Sequence, residues 1–484
     1  MKKLNSNHFY IYNVNGSTYN IQFHLDTEPF VEKYIDDILK KTKLKIPQQY
    51  LVRTLFIHIL NSQFKNRNID DFIPLNSNFL NSWFGSSNRK LHSDFTKKFL
   101  EKDSYYQKGT KAFGYKIKKR IIHILNELRN KEPKPKPTKT PILKSEFVYG
   151  ESENQFKVPK LIQNVINSFS KCYINLERLE EFETNLNDDV KNLEYLQYSI
   201  GEFKRHIYRQ SFKKGYYKPA YILGGTGLSG RIFEKGTLPA QRIKKIIKKE
   251  IFYGDEYINI DIVRSQPTIL LYYFIKYELK SEFFKHYVNN DSIINSWVSE
   301  GIPKQIIKSL IFYKLFSLYT GKMTLKNPVV TKAIYDETQE LDVDINPQSI
   351  LDVLNKKFEP LNEDIKRWKF HLKQNVTFNN NVFINSCGFP VNFENYEQKK
   401  RTLIYTASLL QSKEAEIIHK MIIEFTKQGV NVNSHEFDGC VLYVPEGMND
   451  ESLKKLINKT LENIDFEDKD MLLPMLRIER KPFV

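Results

Sequence analysis

Cysteine is scarce: Cys172, Cys387 and Cys440 are the only three in 484 residues. They stand far apart, so the disulfide framework of a small secreted domain is excluded and a reducing compartment is expected. Neither a CxxC pair nor a HExxH helix occurs, which removes the commonest zinc sites. Long apolar runs are missing as well. The longest, around Thr268–Phe274, ends at Ile275-Lys276, far short of the ~18 residues that span a bilayer. The first ten residues, MKKLNSNHFY, carry two lysines with no apolar stretch behind them, so no signal peptide is read there. No internal repeat is found. These absences exclude secretion and membrane insertion as expectations and leave a cytoplasmic protein.

What is present is length and positive charge. At roughly 150 residues per domain the chain has room for about three folding units. It is 40% hydrophobic and 27% charged, as soluble globular proteins are. Lys and Arg number 74 against 57 Asp and Glu, a formal charge of +17. Such an excess suits a polyanionic partner, either nucleic acid or an acidic membrane surface. The abundance of Lys, Asn and Ile fits an AT-rich genome and says little about function.

One boundary is legible. Residues 132–141, EPKPKPTKTP, cannot form a helix and read as an extended, semi-rigid linker. The expected units are an N-terminal domain over 1–130, the linker over 131–145, a helical region over 146–220 and a larger domain over 221–484. In the first, helical spacing covers Pro47–Leu60, a second helix opens at Phe79–Phe84, and a basic third covers Ser87–Leu100. Tyr105–Gln107 and Tyr115–Ile117 then read as a hairpin. That order suggests a winged helix with Arg89, Lys90 and His92 near the groove-facing helix; a helical cap with a solvated basic face is the alternative. The triplet Asp26-Thr27-Glu28 resembles the first motif of proofreading exonucleases, but the further carboxylates and scaffold it needs are missing, and it is read as coincidence.

Three segments carry chemistry. In Tyr257–Phe274, YINIDIVRSQPTILLYYF, alternating apolar residues end at Asp261 before a turn and a strongly apolar helix. A carboxylate in that place holds a metal ion at a sheet edge or caps the following helix. In Val432–Pro445, VNSHEFDGCVLYVP, Asp438-Gly439 sits between two strand-like runs and reads as a hairpin with its acid at or beside the turn. On adjacent strands, about 4.8 Å apart, Asp261 and Asp438 would both reach a pair of metal ions about 4 Å apart, the arrangement for in-line phosphoryl transfer. Between them, Lys304, Lys308, Phe312 and Phe316 recur every fourth residue and share one helical face. Two cations followed by two aromatics suit a triphosphate and then a base or sugar; an amphipathic helix with snorkelling lysines is the bland alternative.

In this order the motifs resemble the palm and fingers of family A DNA polymerases and of the related single-subunit, phage-type RNA polymerases, over about residues 220–450. Asp261 matches the motif A aspartate. Lys304, Lys308, Phe312 and Phe316 follow the fingers helix, with Lys for the usual Arg and Phe316-Ser317 for the family's Tyr-Gly. Gln411–His419, QSKEAEIIH, matches a helix that reads QGSAADIIK, with Gln411 and Glu416 retained in kind. Phe437-Asp438-Gly439 fits motif C with Phe for His, and a rival register through His435-Glu436 would make Glu436 the ligand. Gly230-Arg231 resembles the RNA branch's Gly-Arg motif, which contacts the template–product duplex, and Gly388-Phe389-Pro390-Val391 its GFPV segment.

The resemblance implies an α+β right-hand polymerase, with an antiparallel palm sheet, helical fingers and a thumb-like region over 146–220, preceded by the small helical or winged-helix domain. It implies two Mg²⁺ ions on Asp261 and Asp438, with Mn²⁺ as a substitute. Nucleoside triphosphates would be held by Lys304, Lys308, Phe312, Phe316 and Gln266, and a primed template by Arg231, Gln411 and Arg242. No proofreading domain, a monomer, and a phage, plasmid or other mobile element as the source are expected. Gln266, bulky and five residues after Asp261, and Gln411 both follow the DNA branch, so DNA synthesis is favoured. Lys204, Arg205, Arg209, Lys213, Lys214 and Lys218, interleaved with Tyr208, Phe212, Tyr216 and Tyr217, and then Arg242, Lys244, Lys245, Lys248 and Lys249, extend the expected nucleic-acid surface. The alternatives are a phage-type RNA polymerase or primase, and a non-catalytic DNA-binding replication protein.

Overall fold

A computed structural model describes residues 9–14, 17–23, 25, 27–65, 73–85, 88–107, 112–138, 146–148, 155–187, 190, 192–223, 229–236, 238–340, 346–376 and 382–483. It is a mixed α+β protein, mostly helical, with small sheets in which every strand pair is antiparallel. Among the described residues no helix is long and apolar enough to cross a membrane.

The largest sheet has four strands: β1 (Tyr257–Ile262), β2 (Asn431–Glu436), β3 (Gly439–Tyr443) and β4 (Ile478–Lys481), in the order β2-β3-β1-β4. β1 is central, and its two faces feed different cores because side chains alternate along a strand. Ile258, Ile260 and Ile262 join Cys440 and Leu442 in the main core, whereas Tyr257 and Val441 belong to a second core with Ile243, Ile247 and Ile251. Burial on both sides explains why four of the six residues of β1 are apolar, and why an acid within it stands out.

Four helices frame this sheet: α1 (Leu193–Arg209), α2 (Ser265–Lys276), α3 (Lys304–Ser317) and α4 (Gln398–Lys427). α2 follows β1 at once, after Arg264 turns the chain through a left-handed backbone conformation at φ 52°. Residues Ser265 to Phe274 of α2 are all buried, so the helix is apolar all round rather than on one stripe. α4, about 45 Å long at 1.5 Å per residue, packs across α2 and the β2–β3 hairpin.

The N-terminal unit has helices over Pro29–Lys40 and Ile46–Lys65, a strand over Ile73–Asn76, helices over Ser77–Phe84 and Arg89–Phe99, strands over Leu100–Gln107 and Ala112–Ile117, and a helix over Lys119–Lys131. The three strands form one sheet with Ala112–Ile117 in the middle. The expected three helices and hairpin are therefore present; the Pro29–Lys40 and Lys119–Lys131 helices and the Ile73–Asn76 strand were not foreseen. Residues 133–138 of the Pro/Lys segment are non-helical and almost wholly exposed. Beyond them α1 returns to the N-terminal core, to which it contributes Tyr195 and Tyr198. Tyr195 donates its hydroxyl to the Ile117 carbonyl at 2.6 Å, and Arg129 donates to the Tyr198 carbonyl at 2.9 Å. Asp26 lies outside the described residues. Glu28 is buried and ion-paired to Arg205 and Arg209 of α1, a structural role.

Candidate active site

Asp261 is the fifth residue of β1 and stands opposite Gly439, the first residue of β3. On the next strand Gly439 stands opposite Glu436. Asp438 immediately precedes Gly439, and its carbonyl accepts the Ile262 amide at 2.8 Å, which ties the hairpin turn to the strand that carries Asp261. The turn residues are Phe437 and Asp438, so the tight turn lies one residue earlier than an Asp-Gly turn would put it. Gly439 serves the ladder: a Cβ there would run into the Ile260 carbonyl oxygen. Asp261 and Glu436 flank Gly439 from the two neighbouring strands, beside an open space.

That space is a cavity of about 180 Å³ lined by Asp261, Glu436 and Asp438, together with Lys245, Lys248 and Lys481. Three acids meet three lysines. Glu436 is held by Lys248 at 2.7 Å and accepts from the Ser434 hydroxyl at 3.2 Å. Asp261 is 7% exposed; its Oδ2 pairs with the Lys481 ammonium, and its Oδ1 is buried without a hydrogen-bond partner among the described residues. A buried anionic oxygen with nothing to bond calls for a cation. Among the described residues no three His, Cys, Asp or Glu side chains gather closely enough to hold a metal between them. A divalent ion here would rest on one or two carboxylates, with water and phosphate oxygens completing its shell, which is how Mg²⁺ is ordinarily held. The residues fit that mode.

Helix α3 is linked to the same acids electrostatically, through Lys308. Lys304 and Phe312 are exposed and Lys308 and Phe316 half-buried along one stripe, while Ile306, Ile307, Leu310, Ile311 and Leu315 enter the core. The rings of Phe312 and Phe316 lie nearly parallel, 6.2 Å apart. Burial pushes the Lys308 ammonium below its usual value, Lys304 and Arg264 add to the effect, and Asp438 opposes it. Asp438 and Lys308 therefore share one electrostatic environment. Lys314, on the other side of α3, is wholly buried; it donates to the Gly321 carbonyl at 3.0 Å and to Asn362 at 2.7 Å, and burial lowers it to about 8.

The remaining motifs converge behind the hairpin. Arg231 pairs with Glu414 of α4, and its guanidinium lies 4.9 Å from the Phe437 ring centre. Gln266, at the start of α2, donates to the same Glu414 carboxylate at 3.3 Å. Burial raises the Glu414 carboxyl above the usual range, Arg231 opposes this, and Asp438 adds to it. Gly230 lies against Cys387, and the Cys387 thiol donates to the Ser412 carbonyl at 3.3 Å. The Gly-Arg segment, the segment before Gly388 and the α4 motif thus meet in space. Gln411 is half-buried on α4, whereas Glu416 turns elsewhere to pair with Lys413 and Lys420. His435 is fully buried against His419 on the opposite side of β2 from Glu436.

Other cations assigned to a nucleic-acid surface are engaged within the fold. Arg242 donates to the Glu234 and Gly236 carbonyls at 3.3 and 2.8 Å, which closes the loop before it. Arg205 and Arg209 bind Glu28, Lys204 binds Glu183 at 2.5 Å, and Lys244 is 2% exposed. Lys213, Lys214, Lys218, Lys245 and Lys249 stay exposed. Two residues that sequence reasoning missed are Lys481 and Glu414. Lys481 left no signal beyond its place in a short alternating run. Glu414 left one: it is a charged residue where the matched helix motif has alanine.

No protein-family model matches the chain. No curated protein matches it in sequence. Among solved structures, the POL domain of Pol1 from M. smegmatis, in complex with DNA primer-template and dNTP, overlays 93% of this chain and 71% of its own at a TM-score of 0.33 and 12% identity. An overlay that loose does not establish a shared fold.

Proposed function

We propose that this chain is a template-directed nucleotidyltransferase, a polymerase of the family A type that favours deoxynucleotides. The observation that supports this reading is the cross-strand register that brings Asp261, Asp438 and Glu436 to one cavity, with Lys308 of α3 within electrostatic reach of Asp438. The four-stranded sheet would be the palm and α3 part of the fingers. Two Mg²⁺ ions, when bound, would neutralise the phosphates and lower the barrier for a 3′-hydroxyl to attack the α-phosphate. Asp261 and Asp438 would hold them, and Glu436, on the far side of Gly439, is the rival to Asp438. Lys308 and Lys304 would take the departing phosphates as point charges. The stacked Phe312 and Phe316 would offer a flat apolar wall to the incoming nucleotide. Gln266, fixed by Glu414 just after the motif A turn, would bear on the sugar, and Gln411 would follow the template strand. Arg231, bound to Glu414 and Phe437, is better placed to hold the motif C turn than to reach a duplex.

Primer extension tests this. With Mg²⁺ and a primed DNA template, Asp261→Asn and Asp438→Asn should each lose at least about a hundredfold in rate, and Glu436→Gln should lose less. Full activity in either aspartate variant would refute the assignment. Separate supply of dNTPs and NTPs decides the product; faster incorporation of NTPs would favour the RNA-polymerase or primase reading. A second reading, a non-catalytic DNA-binding replication protein, draws on the Lys481–Asp261 pair, which fills one carboxylate oxygen with a built-in cation. Salt-sensitive DNA binding with no incorporation under Mg²⁺ or Mn²⁺ would select it.

A further inference from the structure

The N-terminal unit offers basic side chains of a different kind from those around α1. Helix Ser77–Phe84 is joined to helix Arg89–Phe99 by residues 85–88, with Gly85 at φ +81° supplying the turn. Two helices joined by a turn of three or four residues that includes glycine form the helix-turn-helix unit. The second helix is seated by Leu91, Phe95 and Phe99, all buried. The turn is fastened to the preceding long helix: Gln48 donates to the Asn88 side chain at 2.9 Å, Asn88 donates to the Phe84 carbonyl at 2.9 Å, and Trp83 donates to the Leu51 carbonyl at 3.1 Å. The solvent face of this helix is therefore held rigidly.

That face carries Arg89, Lys90, Ser93, Asp94, Lys97 and Lys98, all exposed. Arg89, Lys90 and Lys97 have no ion-pair partner among the described residues, in contrast to Lys204, Arg205 and Arg209, which are neutralised by Glu183 and Glu28. Arg89, Ser93 and Lys97 are spaced by four and form one row, about 12 Å long at 1.5 Å per residue. Two further cations reach this helix, Lys118 donating to the Lys97 carbonyl at 2.5 Å and Arg120 to the Lys98 carbonyl at 3.5 Å. His92, expected at the groove, is instead stacked on Phe84 at 5.4 Å, and burial depresses its pKa.

We propose that Arg89–Phe99 is a second nucleic-acid site, separate from the sheet cavity, which enters the major groove of duplex DNA with Arg89, Lys90, Ser93 and Lys97 toward the DNA. The B-form major groove, about 12 Å wide, admits a helix, whereas the deep, narrow major groove of A-form RNA does not; the ligand class is therefore double-stranded DNA. The site does not depend on the polymerase reading.

The test is fluorescence anisotropy with the full chain and a blunt labelled duplex of roughly 25 bp, across a salt series. R89A/K90A/K97A should flatten the log–log salt dependence by about 2 to 3 and weaken binding at least tenfold at low salt, since each lost phosphate contact removes about 0.9 from the slope. All three positions are exposed, so an unchanged melting curve is expected to accompany the loss. K454A/K455A/K459A removes equal charge from the exposed face of the Asp450–Asn463 helix and should bind like the parent. Equal weakening in the two triple variants would overturn the proposal in favour of diffuse charge, and so would competition by duplex RNA as effective as by DNA. Binding is read without nucleotide or divalent metal, so failure of the polymerase assignment leaves this result readable on its own.

Discussion

Lys481→Ala is expected to strengthen divalent-cation binding, because the lysine occupies the oxygen a metal would need. Its ammonium pairs with Asp261 Oδ2, and its side chain is 46% exposed against 10% for the aspartate. A pair of unit charges at about 4 Å and an effective dielectric of 20 is worth about 4 kcal/mol. Exposure of the lysine screens that toward the ~0.2–1 kcal/mol measured for surface pairs. An intermediate cost of about 1–2 kcal/mol for displacing Lys481, at 1.4 kcal/mol per decade, makes metal binding roughly 5- to 30-fold tighter in the alanine variant. Mn²⁺ binding to the full chain, followed by electron paramagnetic resonance without substrate, measures this independently of turnover. Lys481→Arg keeps the charge and should show no gain, and adding Asp261→Asn should erase the gain of the alanine variant. Unchanged or weaker Mn²⁺ affinity in Lys481→Ala would show that the lysine does not compete at this carboxylate.

Gly439→Ala should cost at least about 3 kcal/mol in urea unfolding, since a Cβ at that position collides with the Ile260 carbonyl and forces β1 and β3 apart. Glu414→Gln should destabilise the fold by about 2–4 kcal/mol, because it strips the largely buried Arg231 of its counter-ion. Lys308→Ala should raise KM for the nucleotide about tenfold while the melting temperature holds. His419 is fully buried beside His435, neither of its ring nitrogens has a hydrogen-bond partner among the described residues, and burial lowers it to about 3. An unfolded histidine titrates near 6.5, so stability from His419 is complete above that pH and is lost as pH falls toward 3. The expected loss between pH 7 and pH 5 is about 2 kcal/mol, and it should be absent in His419→Leu.

The strand of Asp261 was legible because an alternating run ends in a turn sequence before an apolar helix, and local pattern alone sets both. The hairpin was legible for the same reason. Its turn falls one residue early because Gly439 is needed as the ladder partner of Asp261, a demand made by a strand 178 residues away that no local rule contains. Lys481 was invisible: the IERK run is too short to announce a strand, and its importance comes only from pairing with β1. The basic runs misled in the opposite way. Arg205 and Arg209 look like nucleic-acid contacts until Glu28 arrives from the far end of the chain, and Arg242 looks like one until its own loop carbonyls claim it. Charge pattern reveals how many cations there are, while tertiary pairing decides which remain available.

Helix α1 belongs to two cores at once, through Tyr195 and Tyr198 on one side and Ile200, Phe203 and Ile207 on the other. It acts as a strut across the Pro/Lys segment, and the Glu28 pairs brace it near its end. A grip on duplex DNA at Arg89–Phe99 would then stand at a constant span from the acids over Gly439. Such a span works as a caliper: the first nucleotide joined would fall at a set number of base pairs from the gripped sequence, and lengthening the Pro/Lys segment would leave that offset unchanged.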